Sequence, residues 1–281
     1  MTRDERLALQ HQYWESQTRP GLTPTHVVEF VEEFGFVPLT AAPDLRLPAL
    51  ERLLAESASE EHLAGLHAVL ERCVASHTVV EVDCWPGHKL YLPDELLPFC
   101  YALTGDRRPQ RDVASQVQQG KLSRLAGEVY EALLASPPLS AAGLRDLLGA
   151  GRVSALAVER AVAELTPTLK VIRVGLDDGT PIWQPLVRID PETTHAAEQI
   201  SRPEALAALI SKLLGTVLVA TEDELAHFFH PLAPLSRTRA ALRGLQAGRE
   251  LVPESLDGEA AVRLAHHALT LDPPEPDGPR D

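Results

Sequence analysis

The fold is decided by residues 170–187, KVIRVGLDDGTPIWQPLV. Two β-rich runs, 170–174 and 181–187, flank the turn residues 177–180. An Asp-Gly pair between two such runs predicts a β-hairpin, because glycine accepts the positive φ of a tight turn. Between residues 251 and 264 the pair Asp257-Gly258 has the same setting and predicts a second hairpin.

Three helices are predicted before each hairpin. In the first case they cover 123–135, 141–148 and 154–165, and Ser140 and Ser154 are suited to be the N-caps of the second and third. In the second case they cover 203–214, 221–229, where Thr221 and Glu224 form a capping box, and 236–247, with Ser236 as the expected cap. Three helices followed by a β-hairpin are typical of a winged helix, an elaborated helix-turn-helix.

A looser copy precedes these two. It has predicted helices at 25–34, with Thr25 as the expected cap, and at 48–55, 60–75 and 93–103, and predicted strands at 78–82 and 89–92. We therefore expect a mainly α fold with small β-hairpins, built as three tandem winged-helix (helix-turn-helix) domains. The expected division is an N-terminal arm at 1–23 with one helix around 3–16, domains at 24–104, 120–192 and 201–271, and a disordered, acidic, Pro-rich tail at 272–281.

The net charge of −14 is unevenly distributed. Residues 22–104 hold 13 acidic and 4 basic side chains, whereas the two later domains are each close to neutral. Because phosphate contacts dominate nucleic-acid affinity, any DNA contact is expected from the later domains. The acidic first domain is expected to face away from the duplex or to bind a protein partner.

The sequence lacks the marks of export, membrane insertion and cofactor binding. It has no apolar run that could cross a bilayer and no signal peptide, and its three cysteines form no C-x-x-C pair. Phosphate-binding, dinucleotide-binding and common hydrolase motifs are missing as well. We expect a cytoplasmic protein without a cofactor, a metal or a membrane partner.

The best candidates for DNA contact are arginines of the third domain. Arg239 and Arg243 share a face of the predicted recognition helix, Arg237 lies near its start, and Arg249 leads into the wing. In the second domain the candidates are Arg160 on the helix and Lys170 and Arg173 on the following strand. There the acidic Glu159 and Glu164 favour packing between domains over a role in a DNA groove.

Two histidines, His227 and His230, follow Glu224 at helical spacing and raise the question of a metal site. Phe228 and Phe229 lie between them and no further ligand cluster accompanies them, so an ordinary helix end is favoured.

Several segments resemble the AlkZ/YcaQ group of bacterial DNA glycosylases, and more closely the AlkZ-related proteins. The resemblance covers roughly residues 24–190. Its segments are THVVEFVEEFGF at 25–36, LPAL at 47–50, ELLPFCYAL at 95–103, GKLS at 120–123 and PLS at 138–140. It implies tandem winged helices that hold double-stranded DNA and a role in the repair of alkylated bases.

The resemblance also implies a Gln-x-Gln or Gln-x-Asp motif after the first helix, whose side chains activate a water. Here the equivalent stretch, 34–39, reads FGFVPL and offers neither an amide nor a carboxylate. The strings Gln10-His11-Gln12 and Gln116-Val117-Gln118 lie in other contexts. The family's catalytic motif is therefore missing at its expected place.

Three kinds of function follow. The first is a DNA-binding protein of AlkZ-like type, associated with the repair of alkylated or damaged duplex DNA and without the usual active site. The second is a divergent DNA glycosylase, which hydrolyses the N-glycosidic bond with Asp83 or Glu81, near the first wing, as acid or base. The third is a binding protein of another kind, either an acidic winged-helix scaffold or a transcription regulator. Lesion preference and oligomeric state are not indicated.

Overall fold

The computed structural model describes residues 1–54, 59–106 and 109–267. Its helices and strands confirm the mainly α fold with small β-sheets. The α-helices are α1 Arg3–Gln17, α2 Pro24–Phe34, α3 Glu60–Ala75, α4 Leu97–Thr104, α5 Pro109–Gln118, α6 Arg124–Ala135, α7 Ala141–Leu148, α8 Ala155–Leu165, α9 Leu186–Ile189, α10 Pro191–Gln199, α11 Arg202–Val217, α12 Glu222–Phe229 and α13 Leu235–Ala247. The strands are β1 Val37–Pro38, β2 Val79–Trp85, β3 His88–Pro93, β4 Leu139–Ser140, β5 Val171–Asp177, β6 Thr180–Pro185, β7 Ala220–Thr221, β8 Leu251–Leu256 and β9 Glu259–Leu264.

The same small sheet occurs three times. In each, a two-residue strand pairs with the last strand of the hairpin, which gives the orders β1-β3-β2, β4-β6-β5 and β7-β9-β8. All pairs are antiparallel. Each two-residue strand lies between helices of its unit and each hairpin follows them, so the chain is a tandem winged-helix protein whose three units share one topology. The exact domain boundaries given above stay a prediction.

The two Asp-Gly turns have the predicted geometry. Asp178 and Gly179 have φ of 46° and 76°, and Asp257 and Gly258 have φ of 52° and 83°. Positive φ at both central residues is the requirement of the hairpin turn whose twist matches that of the flanking strands. The turn residues therefore fix the register of both hairpins.

Most predicted helix starts are confirmed. Ser140 and Ser154 cap α7 and α8, and Thr221 forms the capping box with Glu224 at α12. Ser123 caps α6 as well, which was not predicted from the sequence. Two predicted caps are wrong. Thr23 rather than Thr25 caps α2, and α13 begins after Pro234 without a side-chain cap, so that Ser236 lies inside the helix.

The first unit departs most from its prediction. The expected helix at 48–55 is only a 3-10 turn, Leu50–Leu53, within the described residues. The expected helix at 93–103 is a 3-10 turn followed by α4. The short strands β1 and β4 were not predicted, because two residues carry too little pattern to be recognised. The predicted disordered tail lies outside the described residues.

Helix α1, in the predicted arm, packs on the third unit. Arg6, Gln10 and Trp14 are buried on one face of it. Their side chains donate to the carbonyls of Val219, Val217 and Thr216 at 3.3, 2.5 and 2.8 Å. Because the last carbonyls of a helix lack intrahelical partners, α1 satisfies the C-terminal end of α11.

The first unit shares its core with both neighbours. The outer face of its sheet packs with α4, α11 and α12 in one large cluster, where Trp85 donates to the carbonyl of Phe228 at 2.8 Å. Its recognition helix α3 packs on β5 of the second unit, and β2 contacts the turn that follows α8. Among the described residues, no helix is both apolar and long enough to cross a membrane.

Candidate nucleic-acid interface

The third recognition helix, α13, presents a polar face to solvent. Ser236, Arg239, Arg243 and Gln246 are exposed and spaced three, four and three residues apart, so they share one side of the helix. The opposite side packs on α11 and α12. We call these four residues the recognition face. Their hydroxyl, guanidinium and amide donors are of the types that contact DNA phosphates and base edges.

The two arginines of this face differ in their surroundings. Nε of Arg239 lies 2.5 Å from Oε1 of Glu222, and its Nη2 lies 3.6 Å from Oδ1 of Asp223. Arg243, one turn on, has no ion pair within the described part of the chain. Half-exposed ion pairs of this kind are weak, so Arg239 can exchange its carboxylate partner for a DNA phosphate. Arg243 can bind a phosphate without first breaking an ion pair.

The other two predicted arginines of this unit are also exposed. Arg237, on another side of α13, borders an apolar cavity of about 580 Å³ between α11 and α13. Arg249 occupies the turn into β8 with a φ of 59°. The structure thus places Arg239 and Arg243 together, with Arg237 and Arg249 apart from them.

Of the three candidates in the second unit, only Arg160 is exposed. Lys170 and Arg173 are 4% and 7% exposed and lie in ion pairs inside the protein. Nζ of Lys170 is 3.0 Å from Oδ2 of Asp106. Arg173 binds Glu71 and Glu81 of the first unit. A buried, paired cation cannot reach a phosphate, so these two residues are corrected from DNA contacts to contacts between units.

A cleft of about 540 Å³ opens between the wings of the first two units. We call it the inter-wing cleft. Its wall includes Pro38 and Leu39, the last two residues of the stretch 34–39 that is equivalent to the missing catalytic motif. Phe36 and Val37 are buried in the hydrophobic core instead, so this stretch presents only apolar side chains to the cleft. The charged groups of the wall come instead from Asp44, Glu71, Glu81, Lys89 and Arg173.

Glu81 is held as a carboxylate. Its Oε2 accepts from Nε and Nη2 of Arg173 at 2.9 and 2.6 Å and from the Tyr91 hydroxyl at 3.2 Å, and its Oε1 accepts from Lys89 at 3.0 Å. Burial alone would raise its pKa, but Arg173 and then Lys89 hold the pKa below the usual value. General acid–base catalysis requires a pKa near the working pH, so the geometry of Glu81 fits a structural role.

Asp83 has a different environment. Burial raises its pKa, and the charge of Lys89 and a 3.3 Å hydrogen bond from the Thr166 hydroxyl offset this only in part. The cavity beside it measures about 130 Å³. Ligand sites are usually about 300–1,000 Å³, so this cavity is too small for a nucleotide.

Several residues at these sites were missed by sequence reasoning. Glu71 is one, because its partner Arg173 lies 102 residues away along the chain. Arg6, Gln10 and Trp14 were missed too, although their four-residue spacing on a predicted helix is a usable signal for a buried face. The predicted histidine pair gains no support as a metal site, since Glu224 is bound by Arg6 and Arg46 at 2.7 Å each.

Comparison with known proteins gives one family and one fold. A family model described as AlkZ related matches residues 22–230. Among solved structures, the DNA glycosylase AlkZ of Streptomyces sahachiroi is similar, with a TM-score of 0.58 and 17% identity over 95% of this chain and 71% of that chain. At this identity the likeness concerns the fold. No curated protein is similar enough to count as a match.

Proposed function

This chain belongs to the AlkZ-related family, and on that premise we propose that it is a cytoplasmic DNA-binding protein of DNA repair. Its target is alkylated or otherwise damaged duplex DNA. It binds the duplex through the third unit and does not cleave the glycosidic bond. The similar Streptomyces protein is a DNA glycosylase, so the two halves of this proposal need separate support.

The observation that carries the first half is the recognition face. Arg243 is exposed and without an ion pair in the described residues, and Arg239 beside it is held only by exposed carboxylates. Arg160 on α8 is likewise exposed without an ion pair there. Positive side chains release counterions from DNA when they meet phosphates, which supplies most of the nonspecific affinity. A face of this kind is what a winged helix needs in a major groove.

Support for the second half comes from the inter-wing cleft. The stretch 36–38 is buried and apolar, so nothing in it orients a water. Glu81 accepts hydrogen bonds from three side chains, and a carboxylate so strongly stabilised is a poor proton acceptor. We therefore expect recognition of damage without excision.

The acidic side of the first unit has a place in the same proposal. Glu29, Glu32 and Glu33 are exposed along α2. Such a surface repels DNA, so we propose that it faces away from the duplex and is open to a protein partner.

Fluorescence anisotropy with plain, mismatched and alkylated duplexes tests duplex binding. We expect affinity to fall steeply with salt. The change Arg243→Ala should reduce the slope of log K against log salt by about one. The matched control is Arg19→Ala, an exposed arginine beside Glu29 and Glu33, which should leave the slope unchanged. If the slope is flat, or both variants behave alike, the third unit is not the DNA surface.

Excision is tested separately by incubating alkylated duplex with the protein and measuring released base. We expect no release. Release that disappears in Asp83→Asn would replace this part of the proposal with a divergent glycosylase. An absence of duplex binding even at low salt would instead favour the scaffold function.

A further inference from the structure

A second cavity lies under helix α1 and shares Pro43 and Asp44 with the inter-wing cleft. It measures about 410 Å³ and is bounded by α1, the loop at 43–46, the end of α11 and α12. We call it the α1 cavity. Its volume is within the usual range of small-molecule sites. Nothing in the proposed DNA contact uses it.

Two buried polar side chains in its wall have unused hydrogen-bonding groups. Arg6 is 2% exposed, and its Nη1 donates to Glu224 and to the carbonyl of Val219. Its Nε and Nη2 have no partner in the described part of the chain. Gln10 is 1% exposed, and its Oε1 lacks a partner as well, although its Nε2 donates to Val217. Buried groups without partners are costly.

The unpartnered atoms of Arg6 and Gln10 determine which ligand groups could bind to them. Nε and Nη2 form one edge of the guanidinium, the edge that binds a carboxylate through two parallel hydrogen bonds. Oε1 of Gln10 is an acceptor and needs a donor. Arg6 and Gln10 are four residues apart on α1 and so lie on the same side of the helix.

The charges around Arg6 also favour an anion. Glu224 is shared by Arg6 and Arg46, each at 2.7 Å, which leaves one positive charge in this group uncompensated. Besides Glu224, the cavity wall holds the acidic residues Asp44, Asp223 and Glu259, and each has a partner of its own. Asp223 lies 3.6 Å from Nη2 of Arg239. Glu259 is bound by Arg3, and Asp44 is bound to His88.

The rest of the wall is mainly apolar. It includes Leu45, Leu213, Val217, Leu225 and Phe228. A ligand that fills the cavity must therefore place an apolar body against these side chains, because a fully polar one would lose its hydration without compensation.

We propose that the α1 cavity binds a small organic carboxylate with an apolar body and a hydroxyl group next to the carboxylate. The carboxylate accepts from Nε and Nη2 of Arg6, and the hydroxyl donates to Oε1 of Gln10. This site is separate from the proposed DNA surface, so its failure would leave the DNA-binding function untouched.

The probe is 3-phenyllactate, with 3-phenyllactamide and 3-phenylpropanoate as its analogues, measured by calorimetry on the full chain. We expect 3-phenyllactate to bind at least about tenfold more tightly than its amide, because the amide cannot form the charged pair with Arg6. Against 3-phenylpropanoate the gain should be about three- to tenfold, because that analogue lacks the hydroxyl.

Variants locate the site. Gln10→Leu should remove the difference between 3-phenyllactate and 3-phenylpropanoate. Leu45→Trp, at a half-buried loop position, should weaken both by filling the cavity, whereas Leu147→Trp, at an exposed leucine of α7, should weaken neither. Arg6→Gln should abolish the preference for the acid over the amide. Because Arg6 also anchors α1, its folding is checked by circular dichroism, and the other two variants test the site if it fails.

Three results would overturn the proposal. They are no binding of 3-phenyllactate at millimolar concentration, equal binding of the acid and the amide, or affinity that neither Gln10→Leu nor Leu45→Trp changes.

Discussion

Arg173 of the second unit and Glu81 of the first unit form a two-pronged ion pair, with Nη2 and Nε at 2.6 and 2.9 Å from Oε2. Both side chains are less than 10% exposed. Glu71 on α3 binds the same guanidinium at 2.5 Å. The pair therefore connects the wing of one unit to the wing and recognition helix of another. Because part of α3 packs on β5 in this way, that part of α3 cannot enter a DNA groove.

The change Arg173→Met should destabilise the protein by about 3–5 kcal/mol, because it leaves the buried carboxylate of Glu81 and the half-buried carboxylate of Glu71 without their main partner. The free energy of unfolding from urea denaturation gives the measurement. Arg160→Met is the matched control. It removes an exposed arginine without an ion pair in the described residues and should change stability by less than about 0.5 kcal/mol. Equal effects of the two changes would show that the pair between units contributes nothing.

Acid should weaken the same contact. The pKa of Glu81 is held below its ordinary value of 4.5 in the folded protein, since the effect of Arg173 outweighs that of burial. A carboxyl group with a lowered folded pKa stabilises the native state fully above its unfolded pKa, and this contribution is lost as the pH falls through the folded pKa. Its size is about 1.4 kcal/mol for each unit of lowering.

Urea denaturation at pH 7 and at about pH 3 measures this loss. The wild type should lose more stability over that interval than Glu81→Gln, which has no proton to gain at this position. Identical losses in the two proteins would mean that the pKa of Glu81 is the same in the folded and unfolded chains.

Much of the fold could be predicted because its signals are local. Ser123, Ser140 and Ser154 each accept a hydrogen bond from a backbone N–H three residues on, and the positive φ of the second hairpin turn is adopted by the adjacent residues Asp257 and Gly258. The role of Arg173 could not be predicted in this way. The sequence around a basic residue on a strand is the same whether its side chain contacts DNA or a carboxylate that is 92 residues away along the chain.

The candidate interface shows the same limit. Spacing alone places Arg239 and Arg243 on one face, and both are exposed there. Spacing does not show whether either arginine has an ion-pair partner. That depends on the packing of α12 against α13, which places Glu222 next to Arg239.

A glycine in β5 marks the close packing of the second wing. Gly175 has a φ of 145°, at the point where the register with β6 shifts, and a side chain there would touch Ala75 of α3 at 3.6 Å. That distance is an ordinary contact, so the cost of Gly175→Ala should come from the backbone. We expect about 1–3 kcal/mol of destabilisation.

Gly244 provides the matched control for this backbone argument. It lies in α13 and has an open space where a side chain would be added. Because alanine favours helix more than glycine does, Gly244→Ala should stabilise by up to about 1 kcal/mol. Thermal or urea denaturation of both variants gives the comparison. Effects of the same sign would show that the φ of Gly175 is not the cause.

The pairing of Arg239 with Glu222 leads to a prediction about DNA affinity. If the recognition face contacts phosphates, Glu222 competes with them for Arg239 at 2.5 Å and also repels the duplex. Glu222→Gln should therefore tighten duplex binding, by about two- to tenfold in low salt, with the gain shrinking as salt rises. Glu29→Gln makes the same charge change on α2, at an exposed position of the first unit. Anisotropy titrations of the two variants separate a local effect from a general one, because only the change beside Arg239 should raise the affinity if α13 enters the groove.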